Sequence, residues 1–544
     1  MNEANTPIAQ KAAAHSATQP QDWQPCEQYF WQRQPLRERT GSDIFAALFQ
    51  PEIEKPGSEA IATLLESPYP LPPDSLPEQA TEMARYSICA GSPRVVADVP
   101  QLQTPGLGLI RALLRQMDSA PSPTHYLANS AETTGREESA SVVLRPEDLS
   151  FGDLPFTGGW LGWIGYDCAW EIEKLPWLKE DALPFPVAYW YEPAEFAVLD
   201  HHSQVLWLAA ETTEQLAALE AKLSAGSSED RPISGDRPLT QTTSSIYRQS
   251  EYRQSDRATA ELTFQTEQAD FEAAVRQAKA HIKAGDVFQV NHSLRFQAKT
   301  KLSSWAVYRT LHQINPSPFA SYWRSPWGDV VSCSPERLVQ LQNRRAQTRP
   351  IAGTRPRGRS VADDGTIAEE LMGDRKEQAE HIMLVDLERN DLGRVCKWGS
   401  VQVEELMAIE RYSHVMHLVS NVVGELQSDK GRADLVAALF PGGTITGCPK
   451  VRCMEIIEQL EPVRRSLFYG SCGYFDRRGQ LDLNILIRTL LMTPTELGQL
   501  SQERTSTQTV WGQVGAGIVA DSDPTKEWYE SLQKAKAQLL SLGL

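Results

Sequence analysis

The sequence predicts an α/β (α+β) protein in which β-sheets are flanked by helices. From about Trp23 to Leu208, short apolar strands alternate with glycine-containing turns, which is typical of a sheet-rich segment. From Phe264 onward, helical and strand patterns alternate. With 544 residues, the chain is too long for one ordinary core and suits two domains or one large interwoven body.

Composition divides the chain into four segments. Residues 1–22 are polar and rich in alanine and glutamine, so we expect a disordered N-terminus. Residues 23–224 form a predicted sheet-rich N-terminal domain, and residues 225–263, which are rich in Ser, Asp, Arg, Gln and Thr, form a predicted linker. Residues 264–544 form a second predicted domain, with an early helix from Phe271 to Ala284 that ends at Gly285.

The charge balance limits the partners of the chain. Lysine and arginine number 53 against 70 acidic residues, which gives a net charge of −17. This charge argues against nonspecific binding to nucleic acid or to an anionic membrane, and we expect neither partner. An anionic ligand would need a local basic patch.

Cysteine usage and the absence of targeting signals predict a cytoplasmic location. The eight cysteines are scattered and form no C-x-x-C pair, which is typical of a reduced compartment. Residues 1–22 lack the apolar core of a secretory signal. The chain also has no run of about 18 apolar residues that would span a bilayer.

A basic, turn-rich segment from Arg349 to Gly358 is the first candidate for ligand binding. It carries several arginines that would attract an anion, together with Ala352 and Thr354. Ala352 is small and unreactive, so the segment would hold a ligand without offering a nucleophile at that position. Composition alone also fits an ordinary solvated basic loop.

Two acidic helices are candidates for a metal site. After Asp523-Pro524, a predicted helix places Glu527, Glu530 and Lys534 on one face. A second helix carries Glu377, Glu380 and His381 before a strand-like apolar run, residues 382–387. Carboxylate oxygens from two helices suit Mg²⁺ better than zinc, although surface helices with ordinary ion pairs fit the same pattern.

Glycine-rich segments offer backbone N–H groups to an anion. One runs from Pro441 to Gly447 and includes Thr444, and the other is Gly515-Ala516-Gly517, after a strand-like Thr509–Val514. Tight turns are commoner than anion sites, so neither signal is specific alone. Lys450 is a possible anion contact or a solvated lysine, and His417 lies in an apolar segment that would also suit a core histidine.

Taken together, residues from about 265 to 540 resemble the chorismate-utilising enzymes, specifically the large subunits of anthranilate synthase and aminodeoxychorismate synthase. This resemblance implies two antiparallel β-sheets flanked by helices and a chorismate site in the C-terminal half. The N-terminal part matches more thinly. The matching pieces are Ser334-Pro335-Glu336, Pro350–Gly358, Ala379–Asp386, Arg389–Arg394, Gly447–Arg452, Ile487-Arg488-Thr489 and Gly515–Pro524.

The resemblance implies that chorismate binds with one Mg²⁺ ion. Glu380 and Glu530 would supply direct metal oxygens, and Glu527 would support the site. The two carboxylates of chorismate would be held by the residues Arg488 and Lys534, the backbone of Gly515, Ala516 and Gly517, and Thr444. The shared motifs are long and occur in the same order, which makes the resemblance specific. Each role is therefore carried over only to the position that matches the motif.

The resemblance also implies the catalytic roles. Glu336 matches the glutamate that protonates the departing C4 hydroxyl, and we expect burial to raise its pKa. His417 matches the histidine at the ring edge, which helps to expel the hydroxyl or to release pyruvate. Ala352, Thr354 and Gln289 complete the candidate catalytic set.

The nucleophile is expected to be ammonia. Relatives that add water have a lysine general base where this chain has Gln289, and a glutamine cannot deprotonate water. The chain shows no glutaminase triad. Ammonia should therefore come from a separate glutamine amidotransferase subunit.

The sequence leaves two aminated products open. Many aminodeoxychorismate synthases have a lysine at position 352 that attacks C2, and Ala352 favours anthranilate synthase instead, as does the segment 410–417. Residues 440–447, 482–488 and 159–170 look more like aminodeoxychorismate synthase. We favour aminodeoxychorismate synthase, with direct attack of ammonia at C4.

Two further segments resemble those that line a tryptophan pocket in this family. They contain Leu65, Glu66 and Ser67 in one segment and Asn315, Pro316 and Ser317 in the other. Tryptophan binding is one interpretation, and turns packed against the core are the other. A non-catalytic relative that binds an aromatic amino acid is the third functional hypothesis.

Overall fold

The structure, a computed structural model, describes residues 29–50, 60–67, 83–119, 143–144, 154–225, 261–358, 360–411, 415–495 and 507–544. The predicted N-terminal tail, residues 1–22, lies outside these ranges, as do residues 226–260 of the predicted linker.

The described strands, numbered along the chain, are β1 (Phe30–Pro35), β2 (Ala62–Glu66), β3 (Tyr86–Ala90), β4 (Val95–Val96), β5 (Val99–Pro100), β6 (Leu102–Gln103), β7 (Val143–Leu144), β8 (Gly159–Ile164), β9 (Ala188–Tyr191), β10 (Glu195–Asp200), β11 (Val205–Ala210), β12 (Leu262–Phe264), β13 (Gln289–Thr300), β14 (Phe319–Ser325), β15 (Gly328–Ser334), β16 (Arg337–Gln342), β17 (Arg345–Thr348), β18 (Ile351–Pro356), β19 (Gln402–Arg411), β20 (Val415–Glu425), β21 (Gly447–Cys448), β22 (Ser471–Asp476), β23 (Leu481–Asn484), β24 (Thr489–Pro494) and β25 (Gln508–Ile518).

The described α-helices are α1 (Gly41–Leu48), α2 (Ile110–Ser119), α3 (Ala169–Ile172), α4 (Thr213–Ala225), α5 (Gln268–Ala284), α6 (Ser304–Ile314), α7 (Val361–Gly373), α8 (Arg375–Gly393), α9 (Arg432–Leu439), α10 (Gly443–Thr446), α11 (Lys450–Leu460) and α12 (Pro524–Ser541), and a 3₁₀ turn spans Tyr166–Cys168.

Two large antiparallel sheets organise the molecule, as the resemblance implied. Within the described ranges, the larger has thirteen strands in the order β12-β13-β25-β24-β15-β14-β2-β3-β10-β11-β1-β7, with β21 beside β13. The smaller has ten in the order β18-β20-β17-β16-β23-β22-β8-β9-β6, with β19 beside β20. Strands β4 and β5 form a separate pair.

Both large sheets join strands from the two sides of the predicted linker. Strand β2 pairs with β14 in the larger sheet, and β8 pairs with β22 in the smaller. The two sheets also pack together, since Trp163 of β8 makes an edge contact with Trp323 of β14 at 5.9 Å between ring centroids. The division into residues 23–224 and 264–544 stays a prediction, because strand sharing does not define where a domain begins.

The predicted helix ends that matter for the site are present. Helix α5 ends at Gly285, whose φ of 82° is the left-handed conformation that favours glycine. Helix α12 begins after Asp523, whose side chain accepts from the Lys526 N–H at 2.9 Å. Proline at the first position of α12 suits a helix start.

Three local predictions were wrong. The strand-like run at residues 382–387 lies inside the continuous helix α8, because a short apolar run also fits a buried helix face. The basic loop is mostly strand β18, and Gly515–Gly517 lies within strand β25 instead of a turn. In both strands, glycine permits a bulge or a close backbone approach.

Two simpler properties also follow from the structure. Among the described helices, none combines the length and the apolar character needed to cross a bilayer. The cysteines that the structure describes are free thiols.

Candidate active site

Glu336 is a buried carboxyl group between strands β15 and β16. Its backbone oxygen accepts from the Ile485 N–H at 3.0 Å, which fixes the segment against the chain that follows β23. Burial and, to a smaller extent, the charge of Glu388 raise the pKa of Glu336 to about 8. The nearby Thr444 hydroxyl opposes this shift without reaching hydrogen-bond geometry. Glu336 is therefore protonated at neutral pH and suited to donate a proton.

His417 lies on β20, opposite Thr354 of β18. Its Nδ1 is 3.1 Å from the Thr354 hydroxyl oxygen and 3.3 Å from the Gly353 carbonyl oxygen. Because a carbonyl oxygen only accepts, we assign the proton to Nδ1, which leaves Nε2 as the acceptor nitrogen. Burial lowers the pKa of His417 to about 4, so the imidazole is neutral.

A bulge in β18 separates Ala352 from Thr354. Ala352 is opposite Leu418, and the register with β20 shifts at Gly353. The φ of Gly353 is 61°, and a Cβ there would lie 2.7 Å from a Leu371 methyl carbon. Only glycine therefore fits position 353. The bulge at this glycine brings Thr354 to His417.

Arg488 is a cation for which the described part of the chain supplies no acidic partner. It follows β23 with a φ of 52°, and burial lowers the pKa of its guanidinium. Among the residues that the structure describes, no carboxylate forms an ion pair with it. Its charge acts on His417, so the two groups are neighbours. An anionic ligand would supply the missing partner.

Gly515–Gly517 lies where β25 has an open edge. Strand β24 pairs only as far as Gly512, so the following residues of β25 have β13 alone as a neighbour among the described strands. A Cβ at Gly517 would lie 2.2 Å from the Gln289 amide nitrogen, and one at Gly515 would lie 2.5 Å from the His292 carbonyl oxygen. The glycines are required for these approaches, and the open edge leaves backbone groups for a ligand.

Gln289, Thr444 and Lys534 lie around this segment. The Gln289 side-chain oxygen is buried and has no hydrogen-bond partner among the described groups. The Thr444 carbonyl oxygen accepts from the Asn291 side-chain N–H at 3.3 Å, beside Gln289. Lys534 donates to the Gly515 carbonyl oxygen at 3.1 Å. The glycines, Gln289, Thr444 and Lys534 thus lie along one edge.

The two acidic helices α8 and α12 are brought together. The charges of Glu380, Glu527, Glu377 and Glu530 raise the pKa of Lys376 on α8 against the effect of its burial. Burial raises the pKa values of both Glu380 and Glu527, and the charge of Glu527 acts on Glu380. The charges of acidic groups from both helices therefore act on one ammonium group.

The acidic groups offer carboxylate oxygens, which are the donors that a hard cation prefers. The oxygens do not converge on one preformed binding site. Glu380 Oε1 is buried without a hydrogen bond and lies 3.7 Å from the Lys376 ammonium nitrogen. Glu530 Oε1 pairs with Lys534 at 2.9 Å. No three His, Cys, Asp or Glu side chains converge at metal-binding positions within the described part of the chain. A cation would have to draw these oxygens together.

Two residues of the predicted acidic motif have other roles. The Glu377 carboxylate accepts from Arg355 at 3.2 Å, which ties α8 to β18. His381 Nε2 lies 2.6 Å from the Ser420 hydroxyl oxygen, and the ring is fully buried. His381 thus positions α8 against β20.

Comparison with known proteins identifies the family. The family model for chorismate binding enzymes matches residues 114–540. The chain belongs to the chorismate-binding enzyme family.

Relatives of this chorismate-binding enzyme carry two different names. It is 55% identical over 94% of its length to the anthranilate synthase component I-like protein of Synechocystis sp., covering 92% of that protein. It is 43% identical to aminodeoxychorismate synthase component 1 of Bacillus subtilis over 72% of this chain and 78% of the relative. A crystal structure of anthranilate synthase component I from Streptococcus pneumoniae matches with a TM-score of 0.62 at 27% identity, covering 86% and 98% of the two chains.

The family assignment confirms the resemblance, the fold class and the enzyme class. The Ser334-Pro335-Glu336 and Ile487-Arg488-Thr489 motifs are brought into one region by the contact between Glu336 and Ile485. The individual residue roles stay predictions.

Sequence reasoning missed a buried cluster in this chorismate-binding enzyme. Lys450 donates to Asp391 at 2.5 Å and to the Leu439 carbonyl oxygen at 2.8 Å, so it is neither a solvated lysine nor a vacant anion contact. Glu388 lies on the same helix as Asp391 and is buried. The available signal was helical spacing, which places Leu384, Glu388 and Asp391 on one face.

The segment predicted to bind tryptophan borders a separate cleft. The cleft has an empty volume of about 670 Å³, part of it open to solvent, and Leu65, Glu66 and Ser67 are in its lining. Asn315, Pro316 and Ser317 are not, and the lining begins at the next residue, Pro318. Asn315 instead donates to the Ser317 hydroxyl oxygen at 3.2 Å, which closes a local turn.

Proposed function

We propose that this enzyme aminates chorismate with ammonia in a Mg²⁺-dependent reaction, and that its product is aminodeoxychorismate. The observation that carries the proposal is Glu336, a buried carboxyl group with a pKa of about 8. It is supported by the neutral His417 and by Arg488, which acts on His417 and has no carboxylate partner among the described residues. These are the groups that loss of a hydroxyl from a dianionic substrate requires.

Glu336 would act as the general acid. The C4–O bond of chorismate breaks as Glu336 transfers its proton to the hydroxyl oxygen, which leaves as water. The nitrogen of ammonia forms the new bond at C4 and then loses a proton. His417, neutral and held by Thr354 and the Gly353 carbonyl oxygen, would lie at the ring edge with Nε2 able to accept a proton.

The two carboxylates of chorismate need positive charge in a chain of net charge −17. Arg488 offers a guanidinium without an acidic partner among the described residues. Lys534 and the open backbone edge at Gly515–Gly517 offer further donors. Charge-assisted hydrogen bonds of this kind contribute more than neutral ones, so they would dominate affinity.

Mg²⁺ would be held by Glu380 and Glu530, with Glu527 in support. Oxygen donors from two helices with room for water match the preference of Mg²⁺. The bound ion supplies positive charge to a substrate carboxylate. Glu380, whose pKa is raised by burial first and by neighbouring carboxylates next, would gain a counter-charge.

The nucleophile is inferred to be ammonia from a partner. Gln289 lies beside Gly517 and its amide cannot deprotonate water. Relatives are named as component I, which supports a separate glutamine amidotransferase as the second component.

Anthranilate synthase activity is the second candidate, and Ala352 favours it. An alanine in β18 cannot attack C2. Ammonia would instead add at C2 as the protonated C4 hydroxyl leaves as water, and pyruvate would then be eliminated together with a ring proton. Replacing Ala352 by lysine tests this position. If a covalent route is sterically open, A352K should shift the products toward C4 amination, and an unchanged ratio would show that residue 352 does not decide the product.

Incubation of the purified protein with chorismate, Mg²⁺ and ammonium, with product analysis, tests the proposal. Anthranilate is followed by its fluorescence and pyruvate by a coupled assay, and a lyase converts aminodeoxychorismate to para-aminobenzoate. We expect para-aminobenzoate after addition of the lyase. Anthranilate with pyruvate would favour the second candidate, and no product in either assay would contradict both.

The cleft at Leu65–Ser67 is proposed to bind tryptophan. Its walls combine aromatic and apolar groups, including Tyr86, Phe319 and Tyr474, with a few polar ones. Calorimetric titration with tryptophan checks this. We expect tryptophan to bind the wild type and not the Leu65→Trp variant. Binding that persists in the variant would contradict the assignment.

A further inference from the structure

Helix α10 is a single short turn that carries Thr444, a residue proposed above to contact a substrate carboxylate. The helix spans only Gly443–Thr446, and the Gly447 N–H donates to the Gly443 carbonyl oxygen at its end. The last carbonyl groups of a helix find no partners within it. The carbonyl oxygens of Thr444 and Ile445 therefore need donors from elsewhere in the fold.

Strand β13 and Arg465 supply these donors. The Asn291 side-chain N–H donates to the Thr444 carbonyl oxygen at 3.3 Å. Nη1 of Arg465 donates to the next carbonyl oxygen, that of Ile445, at 2.7 Å. Nη2 of the same guanidinium donates to the Asn291 carbonyl oxygen at 2.8 Å. One arginine side chain therefore joins α10 to β13 by hydrogen bonds to both backbones.

Glu461, four residues before Arg465, holds the guanidinium in one orientation. Its two carboxylate oxygens accept from Nε at 3.0 Å and from Nη2 at 2.7 Å, and both side chains are buried. The same carboxylate accepts from the Ser293 N–H at 2.9 Å and from the Ser293 hydroxyl at 2.7 Å, so Glu461 is itself anchored on β13. The ring centroids of Tyr166 and Tyr469 lie 4.8 and 4.5 Å from the guanidinium carbon.

The two elements that Arg465 joins carry residues of the candidate active site. Gln289 begins β13, and its amide nitrogen would lie 2.2 Å from a Cβ built on Gly517. The end of α10 lies against the same residue, since a Cβ built on Gly447 would be 2.1 Å from the Gln289 carbonyl oxygen. The position of Thr444 relative to Gln289 therefore depends on how α10 is held against β13.

We propose that Arg465, oriented by Glu461, is a positioning residue that fixes α10 against β13 and so sets the placement of Thr444 and Gln289 around the substrate. This inference rests on the function proposed for the site. Arg465 acts through the backbone carbonyl groups of Asn291 and Ile445.

The Arg465→Lys variant tests this role. It keeps the positive charge and replaces the planar guanidinium with a single ammonium group. One nitrogen cannot take the places of both Nη1, which bonds α10, and Nη2, which bonds β13. We expect KM for chorismate to rise about tenfold with a smaller fall in kcat, because Thr444 would bind the substrate before and during the reaction alike.

Arg464→Lys is the matched control. Arg464 is as buried as Arg465, and it lies between the rings of Trp170 and Trp177, with centroids at 4.0 and 3.8 Å. Among the described residues, its guanidinium pairs with Asp167 at 2.8 Å and Glu458 at 3.6 Å, and it donates to neither α10 nor β13. Both variants should therefore lower the melting temperature, and only Arg465→Lys should raise KM. An equal rise in both variants, or an unchanged KM in Arg465→Lys, would overturn the proposal.

Glu461→Gln tests the same link if Arg465→Lys does not fold. Glutamine has the size of the glutamate and keeps an acceptor for Ser293, but it cannot accept both guanidinium hydrogen bonds as a charged carboxylate does. We expect KM for chorismate to rise in this variant as well, by less than tenfold. A folded Glu461→Gln protein with the KM of the wild type would contradict the role of the pair.

Hydrogen exchange without substrate separates this inference from the proposed function. Peptides that cover residues 287–293 and 443–448 should exchange faster in Arg465→Lys than in the wild type and in Arg464→Lys. Unchanged exchange in both peptides would contradict the link between α10 and β13. If the wild type failed to aminate chorismate while this difference in exchange was present, the reaction would be wrong and the link would stand.

Discussion

Two buried glutamates, Glu66 in the cleft and Glu336 in the candidate active site, show how differently the same side chain is used. Glu66 is 3% exposed and accepts from the Ser42 N–H and hydroxyl, both at 2.6 Å, and from Tyr308 at 2.8 Å. Glu336 is 6% exposed, and among the described residues only the Thr444 hydroxyl acts to lower its pKa. A carboxylate with several donors stabilises the fold, whereas a buried carboxyl with few donors keeps its proton.

Two arginines repeat the contrast. Arg337, next to Glu336 in sequence, faces the cleft and donates to both Asp482 oxygens, at 2.9 and 2.8 Å. Arg488 has no carboxylate partner among the described residues. Arg337 is neutralised within the protein, whereas Arg488 is left for a ligand.

The largest expected effect is at Glu336. Glu336→Gln removes the proton donor, so kcat should fall by about 10²- to 10⁴-fold while chorismate still binds. Steady-state and binding measurements check this. Because the pKa of Glu336 is raised on folding, its burial costs stability as pH rises from about 4.5 to about 8. The variant should therefore melt at a higher temperature than the wild type at pH 8. Unchanged kcat would contradict the acid role.

Glu530→Ala should abolish Mg²⁺-dependent turnover and leave the fold intact. Glu530 is about half exposed and, among the described residues, forms an ion pair only with Lys534, so little stability depends on it. The test measures activity as a function of Mg²⁺ concentration and checks the fold by circular dichroism. Full activity at the same Mg²⁺ concentration as the wild type would refute the metal assignment.

Removing the unpaired arginine should affect substrate binding more than stability. Arg488→Gln deletes a charged donor to a carboxylate, so KM for chorismate should rise roughly 10- to 100-fold, equivalent to about 1.5–3 kcal/mol. Arg337→Gln is the matched control, and it should lower the melting temperature with little change in KM. A raised KM in Arg337→Gln together with a lowered melting temperature in Arg488→Gln would contradict the contrast between the two regions.

The smallest effect on catalysis is expected at Glu66. Glu66→Gln removes the charge that three buried donors share, so the free energy of unfolding should fall by about 1–3 kcal/mol. Denaturant unfolding measures this, and kcat for amination should stay within a few-fold of the wild type. A loss of kcat as large as that of Glu336→Gln would show that the cleft belongs to the catalytic machinery.

The sequence predicted the features that depend on local chemistry. Fold class followed from periodicity, and the ends of α5 and α12 followed from Gly285 and Asp523. Strand β25 was missed at Gly515–Gly517 because glycines that permit close packing against Gln289 resemble glycines in turns. Helical spacing predicted the two acidic helices, and family resemblance supplied the roles of the site residues.

The surroundings of each charge were not predictable from the sequence. Lys450 was interpreted as an anion contact or a solvated lysine, whereas tertiary structure buries it against Asp391. The burial of Glu388 had no local signal beyond helical spacing, since Lys450 and Gly443 approach it only in the folded chain. Pairing between distant charges is set by topology.

A crystal structure with chorismate and Mg²⁺ tests the central claim most directly. The claim predicts the C4 hydroxyl against the Glu336 carboxyl, a substrate carboxylate on Arg488 and the cation between Glu380 and Glu530. Chorismate bound elsewhere, with these four side chains turned away from it and from the cation, would contradict it.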